Sequence, residues 1–169
     1  MNDMDEITEN LYLGNLNGAK NIEKIKELGI KKVLSITEEF CWPNYNESDS
    51  IIHKKIIAGD SERRNLIKSF GECLNFIKGD EKVLVHCAAG MSRSATFVIA
   101  YIMWSKKMSF KEALEFVRSK RFVVSPNFGF EDQLKLFEKL LIENNYDIDK
   151  IKFDEIKWEP KEHYDFDIY

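Results

Sequence analysis

Residues 82–104 decide the reading of this chain: Lys82-Val-Leu-Val-His86, then Cys87-Ala-Ala-Gly-Met-Ser92, then Arg93-Ser-Ala-Thr-Phe-Val-Ile-Ala-Tyr-Ile-Met-Trp104. The first block is short, apolar and β-branched, which predicts a buried strand. The third is apolar almost all round, which predicts a helix buried on most sides. Between them lie six residues with small side chains at Ala88, Ala89, Gly90 and Ser92 and no proline. A strand that turns into a helix over a loop of small residues lets several backbone N–H groups converge on one anion. The helix N-terminus adds partial positive charge at the same point.

Working outward, strands and helices alternate. Residues 18–28 place Ile22, Ile25 and Leu28 on one helical face, and Gly29 stops that helix. Residues 32–36 predict a strand, 37–50 a polar loop with Pro43, and 51–58 a second strand ended by Gly59-Asp60-Ser61. A helix is expected over 62–78, with Leu66, Phe70, Cys73 and Ile77 on one face. Ser109-Phe-Lys-Glu112 is a capping-box sequence opening another helix. After Ser125-Pro-Asn127 a last long helix carries Phe130, Leu134, Phe137 and Leu141. The alternation predicts an α/β fold, a central mostly parallel sheet flanked by helices. One domain is expected over 1–142, with 143–169 an acidic, aromatic-containing C-terminal extension, either packed on the surface or docked on this domain or a neighbour.

Composition removes several function classes. The net charge of -4 argues against non-specific nucleic-acid binding, which needs a basic surface. No apolar run approaches a membrane span, and the polar start Met1–Asn10 has neither a signal core nor the N-myristoyl pattern. Three cysteines, Cys41, Cys73 and Cys87, make no disulfide framework, and no Cys/His pair has zinc-ligand spacing. No metal or other cofactor is expected. A reducing, cytoplasmic setting follows, with a nuclear one open.

The chemistry is expected at Cys87 and Arg93. An arginine fork grips two oxygens of a phosphate. A thiol beside that arginine at a helix N-terminus ionises more readily than an ordinary one. Bare Cys-x5-Arg spacing arises by chance about one time in ten in a chain with this many Cys and Arg, so the strand-loop-helix context carries the weight. Cys73, on an apolar helix face, fits the inert buried thiol instead.

His86-Cys-x-x-Gly-x-x-Arg-Ser94 resembles the signature loop of the protein tyrosine phosphatase superfamily, and Ala-Ala-Gly-Met-Ser-Arg-Ser-Ala95 resembles its small dual-specificity branch. The likeness extends to Asn10-Leu-Tyr-Leu-Gly-Asn15, Gly59-Asp-Ser61 and Ser125-Pro-Asn-Phe-Gly-Phe130, covering roughly residues 6–142. The resemblance implies a protein phosphatase acting on phosphotyrosine and phosphoserine/phosphothreonine of phosphorylated proteins. It implies Cys87 as nucleophile, Arg93 as phosphate clamp and Asp60 as general acid and then base. Ser94 would assist the departing sulfur, and the backbone of Ala88, Ala89, Gly90, Met91, Ser92 and Arg93 would bind phosphate. His86 would support Cys87, and Asn127 would brace the loop backbone. Without the resemblance, Asp60 and Asn127 read as helix caps, Ser94 as a helix-start serine and His86 as a strand-end histidine. Arg63, Arg64, Arg118, Lys120 and Arg121 read as a solvated face or as groups steering acidic substrates. Two alternatives stay open: a non-catalytic phospho-residue binding module, and a phosphatase for a non-protein phosphate such as a phosphoinositide. The loop lacks the lysines that usually mark phosphoinositide enzymes.

Overall fold

A computed structural model of the chain describes residues 1–161. Five strands form one sheet in the order β1-β2-β5-β3-β4: β1 Met4–Thr8, β2 Leu11–Gly14, β3 Ile30–Thr37, β4 Ile52–Ile57 and β5 Lys82–His86. β2, β3, β4 and β5 run parallel, while β1 pairs antiparallel with β2. The expected mostly parallel sheet is therefore present, with a hairpin added at one edge. That hairpin was not expected, because β1 is short, polar and acidic. It is an edge strand, and an edge strand can keep a polar face in water.

Helices cover both faces. On one side lie α3 Phe70–Ile77, α4 Arg93–Ser105, α5 Phe110–Lys120 and α6 Phe128–Glu143. They pack over Leu34, Ile36, Val83 and Val85 in the larger core. On the other side α1 Leu16–Lys20 and α2 Ile22–Leu28 cover a smaller core of Tyr12, Ile25, Val33 and Leu84. Alternate residues of β3 and β5 point to opposite sides, so both strands read as continuous apolar runs. α4 lies against β5 with Ala95, Phe97, Val98 and Ile99 fully enclosed, which explains its lack of a polar face.

Two expected helices differ from the sequence reading. The helix of 18–28 is two helices, because Asn21 ends α1 and its side chain caps α2 through Lys24 N–H. The helix expected from 62 begins only at Phe70, after a 3-10 turn at Ile67–Ser69. The reason is a tertiary hydrogen bond. The Gln133 side chain of α6 accepts from the Leu66 and Ile67 N–H groups at 2.7 and 2.9 Å. Its Nε2 donates to the Arg64 carbonyl at 2.8 Å. A buried glutamine thus takes the backbone partners that a helix would have used.

The extension docks on this domain as far as it is described. Ile148, Ile151 and Phe153 are buried in the larger core, and Trp104 donates to the Tyr146 carbonyl at 3.0 Å. Tyr164, Phe166 and Tyr169 lie outside the described residues. Among the described residues no helix is long and apolar enough to cross a membrane.

Candidate active site

β5 is the middle strand, and Cys87 follows directly at its C-terminal end. In an open parallel sheet this is the crevice where ligands bind. The loop 87–92 then wraps to the first turn of α4. Its conformation follows from where its carbonyls go. The Cys87 carbonyl accepts from His86 Nδ1 at 3.0 Å. The Ala88 carbonyl accepts from Leu16 N–H at 3.1 Å, and the Met91 carbonyl from Ser125 N–H at 2.8 Å. The Ala89 and Gly90 carbonyls accept from Arg121 Nη2 and Nε at 3.4 and 2.9 Å. The Ser92 carbonyl accepts from Thr96 N–H and Oγ1 at 2.9 and 2.8 Å. All six carbonyls are held from outside the loop, and Gly90 N–H turns inward to the Cys87 sulfur, the arrangement of an anion nest.

Gly90 is required here twice over. It sits at φ +68°, and a Cβ would stand 2.5 Å from the Gly14 carbonyl oxygen. No other residue fits this backbone at this approach.

Cys87 is 2% exposed, at the floor of the loop. Its Sγ lies 3.0 Å from Ser94 Oγ and accepts from Gly90 N–H at 3.2 Å. Arg93 begins α4, and its Nη1 rests on the Ala58 carbonyl at 3.0 Å. Met91 stands on the rim, 37% exposed.

Asp60 caps no helix. Its Oδ1 accepts from Ser92 Oγ at 2.7 Å and from Asn127 Nδ2 at 2.9 Å, so the carboxylate is fixed beside the loop. Asn127 is a helix cap, one of the two roles its sequence reading offers, and it has no bond to the loop backbone itself. It caps α6 through Phe130 N–H at 2.9 Å. It also meets the loop, but through the Ser92 side chain, with Asn127 N–H donating to Ser92 Oγ at 3.1 Å. The structure therefore brings Cys87, Arg93, Ser94, Asp60 and Asn127 to one place.

Arg121 is neither part of a solvated face nor placed to steer acidic substrates, since it is 2% exposed. Besides the loop carbonyls it holds the Asn2 carbonyl and Asp5 Oδ2, each at 2.8 Å. Its position, one residue beyond an amphipathic helix and just before Phe-Val-Val, was the one available hint. Tyr45 packs edge-on to His53 and donates to the Ala19 carbonyl at 2.6 Å, and Lys55 lies over the Trp42 ring.

His86 is enclosed, and Ser35 on the neighbouring strand lies 2.5 Å from its Nε2. Ser35 Oγ also lies 2.7 Å from His53 Nε2. Burial lowers both rings to about 4, helped at His86 by Arg93, against the Cys87 carbonyl bond, and at His53 by Lys55 and His86. Burial likewise pushes the Cys73 thiol up, away from ionisation. Cys41 is exposed in the loop after β3. Among the described residues no group of His, Cys, Asp and Glu is arranged to hold a metal.

Comparison with known proteins agrees with this geometry. Residues 11–140 match the family described as dual specificity phosphatase, catalytic domain. Human dual specificity protein phosphatase 9 is 39% identical over 80% of this chain, which spans 36% of that protein's length. Dual specificity protein phosphatase 1B of Arabidopsis thaliana is 39% identical over 81% of this chain and 83% of its own length. Among solved structures, the human tyrosine phosphatase-like serine/threonine/tyrosine-interacting protein superposes with TM-score 0.77 at 33% identity, over 82% of this chain and 97% of the other. The match over residues 11–140, with 39% identity to the Arabidopsis relative over most of both chains, places the chain in the dual-specificity phosphatase family.

Proposed function

We propose that the chain hydrolyses phosphate esters of protein tyrosine and of protein serine and threonine through a cysteinyl-phosphate intermediate. The observation that carries the proposal is the loop over Cys87, in which every carbonyl is tied outward while the sulfur takes bonds from Ser94 and Gly90. Family membership supports phosphatase activity.

In the first step the Cys87 thiolate attacks phosphorus, the S–P bond forms and the bond to the side-chain oxygen breaks. Asp60 gives that oxygen its proton. One Asp60 oxygen is engaged by Ser92 and Asn127, leaving Oδ2 for this transfer. The inward N–H groups and Arg93 meet the three non-bridging oxygens, whose charge grows at the five-coordinate transition state. Arg93 exchanges the Ala58 carbonyl for phosphate oxygens. In the second step Asp60 takes a proton from water, the water oxygen attacks phosphorus and the S–P bond breaks. Ser94 donates to the departing sulfur. The products are inorganic phosphate and free enzyme.

A binding-only reading has one specific support, since the similar human structure is named phosphatase-like and interacting. The test separates the two. Wild-type protein should release phosphate from an aryl phosphate, and Cys87→Ser should lose this by several orders of magnitude while still binding phosphopeptide, because serine leaves the nest intact but does not ionise near neutral pH. Phosphopeptide binding with no phosphate release by the wild type would establish the binding module instead. The rim bears the exposed Asp60 and Met91, which supports access for both long and short side chains. Phosphotyrosine and phosphothreonine peptides should then be hydrolysed with kcat/KM within about a hundredfold. Dependence on one free thiol supports a reducing, cytoplasmic setting, with a nuclear one open.

A further inference from the structure

β3 places Ser35 opposite His86 of β5, and Val33 of the same face opposite His53 of β4. Ser35, His53 and His86 therefore share the sheet face covered by α1 and α2, across three adjacent strands. Each link between them has only one workable direction. A carbonyl only accepts, so His86 must donate from Nδ1 to the Cys87 carbonyl at 3.0 Å. In a neutral ring Nε2 is then an acceptor, and the Ser35 hydroxyl donates to it at 2.5 Å. The Ser35 oxygen in turn accepts from His53 Nε2–H at 2.7 Å.

We propose that Ser35 and His53 are positioning residues of the phosphatase site, acting through His86 to hold the Cys87–Ala88 peptide so that the Ala88 N–H points into the phosphate nest. The proposal rests on the hydrolytic reading above. In a trans peptide the C=O and N–H point in opposite directions, so pinning the Cys87 carbonyl to His86 turns the Ala88 N–H the other way. A hydroxyl donating to Nε2 polarises the ring and strengthens the Nδ1–H bond to that carbonyl, as linked hydrogen bonds do. The surroundings keep the line in this protonation state. Lys55 of β4 faces His53, Arg93 of α4 faces His86, and the Tyr45 ring closes over His53. Both cations oppose a second proton, consistent with rings held near 4. Neither Ser35 nor His53 lies in the signature loop, and neither touches Cys87.

The test uses the full-length protein and pairs ring spectroscopy with kinetics on an aryl phosphate. In wild-type protein at pH 7 the His86 Nδ1–H should give a protected imidazole resonance. Ser35→Ala should expose that proton to solvent exchange at least about tenfold faster and lower kcat about tenfold, with KM within about threefold, because Arg93 and the other N–H groups still grip phosphate. His53→Gln keeps an N–H donor to Ser35 and should behave as wild type, whereas His53→Leu should fall between wild type and Ser35→Ala. If Ser35→Ala does not fold, the two His53 variants decide. Equal kcat and equal His86 protection in His53→Leu and His53→Gln would overturn the proposal. So would a Ser35→Ala protein with unaltered kcat, or one whose kcat falls only in step with its folded fraction. A wild-type protein with no turnover would sink the hydrolytic reading, and with it the kinetic role assigned here, while an intact His86 resonance would show that the line itself is formed.

Discussion

Arg121 shows how much of the site depends on one side chain remote from the chemistry in sequence. Its guanidinium ties the Gly90 and Ala89 carbonyls to Asp5 and to the Asn2 carbonyl, joining the loop to the N-terminal strand. The pair with Asp5 is buried at the arginine end, so removing the arginine leaves a partly enclosed carboxylate and two loop carbonyls without donors. Breaking one partner of a buried pair costs about 3–5 kcal/mol. Arg121→Met should therefore lower the urea midpoint substantially and reduce turnover of an aryl phosphate in whatever remains folded. Retained stability and turnover in a denaturation series with parallel kinetics would show that the loop holds its shape unaided.

Elements set the distance between the acid and the nucleophile. α6 approaches the segment after Asp60 so closely that a Cβ on Gly129 would stand 2.0 Å from the Glu62 carbonyl oxygen. The same helix binds that segment through Gln133 and fixes Asp60 through its capping Asn127. Gly129→Ala must push the Asp60 segment away from α6, and overpacking of this kind costs about 1–3 kcal/mol. A displaced general acid matters most where the leaving group is poor. The expected result is a kcat/KM loss of about tenfold or more on a phosphotyrosine peptide and a smaller loss on an aryl phosphate with a good leaving group. Asp60→Ala should show the same ordering with a larger effect. Equal losses on both substrates would point to a general disturbance of the loop rather than to the acid.

For the whole molecule, the extension, the buried His86 and the half-buried His53 all bear on stability. Phe153 lies over Gly71 of α3, where a Cβ would come within 2.6 Å of its ring, and its ring meets that of Phe137 of α6 at a tilt, with centroids 5.9 Å apart. Truncating a buried phenylalanine costs about 3–5 kcal/mol. Phe153→Ala should lower Tm by many degrees while kcat measured well below the transition is retained. The pH dependence has a definite sign. Burial first, then Arg93, holds the folded His86 ring at about 4, below the unfolded value of 6.5. Between those values the unfolded chain binds a proton that the folded chain does not, so the unfolding free energy falls as pH drops through this window and is level above it. At pH 5 the deficit from His86 is on the order of 2 kcal/mol. His53 shifts the same way but is partly exposed, so solvent screening reduces its share. Thermal scans from pH 7.5 to 5 should show a falling Tm, and a replacement of His53 should flatten the curve slightly.

By itself the sequence determined the strand, loop and helix of 82–104, the small residues of the nest and the pairing of Cys87 with Arg93, because these are contiguous and each local preference agrees with the fold. α5 and α6 were legible for the same reason, with Ser109 and Asn127 as caps followed by apolar residues at helical spacing. Only the tertiary structure decided the rest. Whether Asp60 capped a helix depended on Gln133, about seventy positions away, taking the backbone bonds of Arg64, Leu66 and Ile67. Whether Arg121 faced water depended on the loop carbonyls and Asp5 converging on it, and whether Ser35, His53 and His86 formed a line depended on strand register. Local spacing encodes dihedral preference and amphipathic faces, whereas a buried polar group is defined by the partners that desolvation compels it to find, and those partners lie far off in the chain.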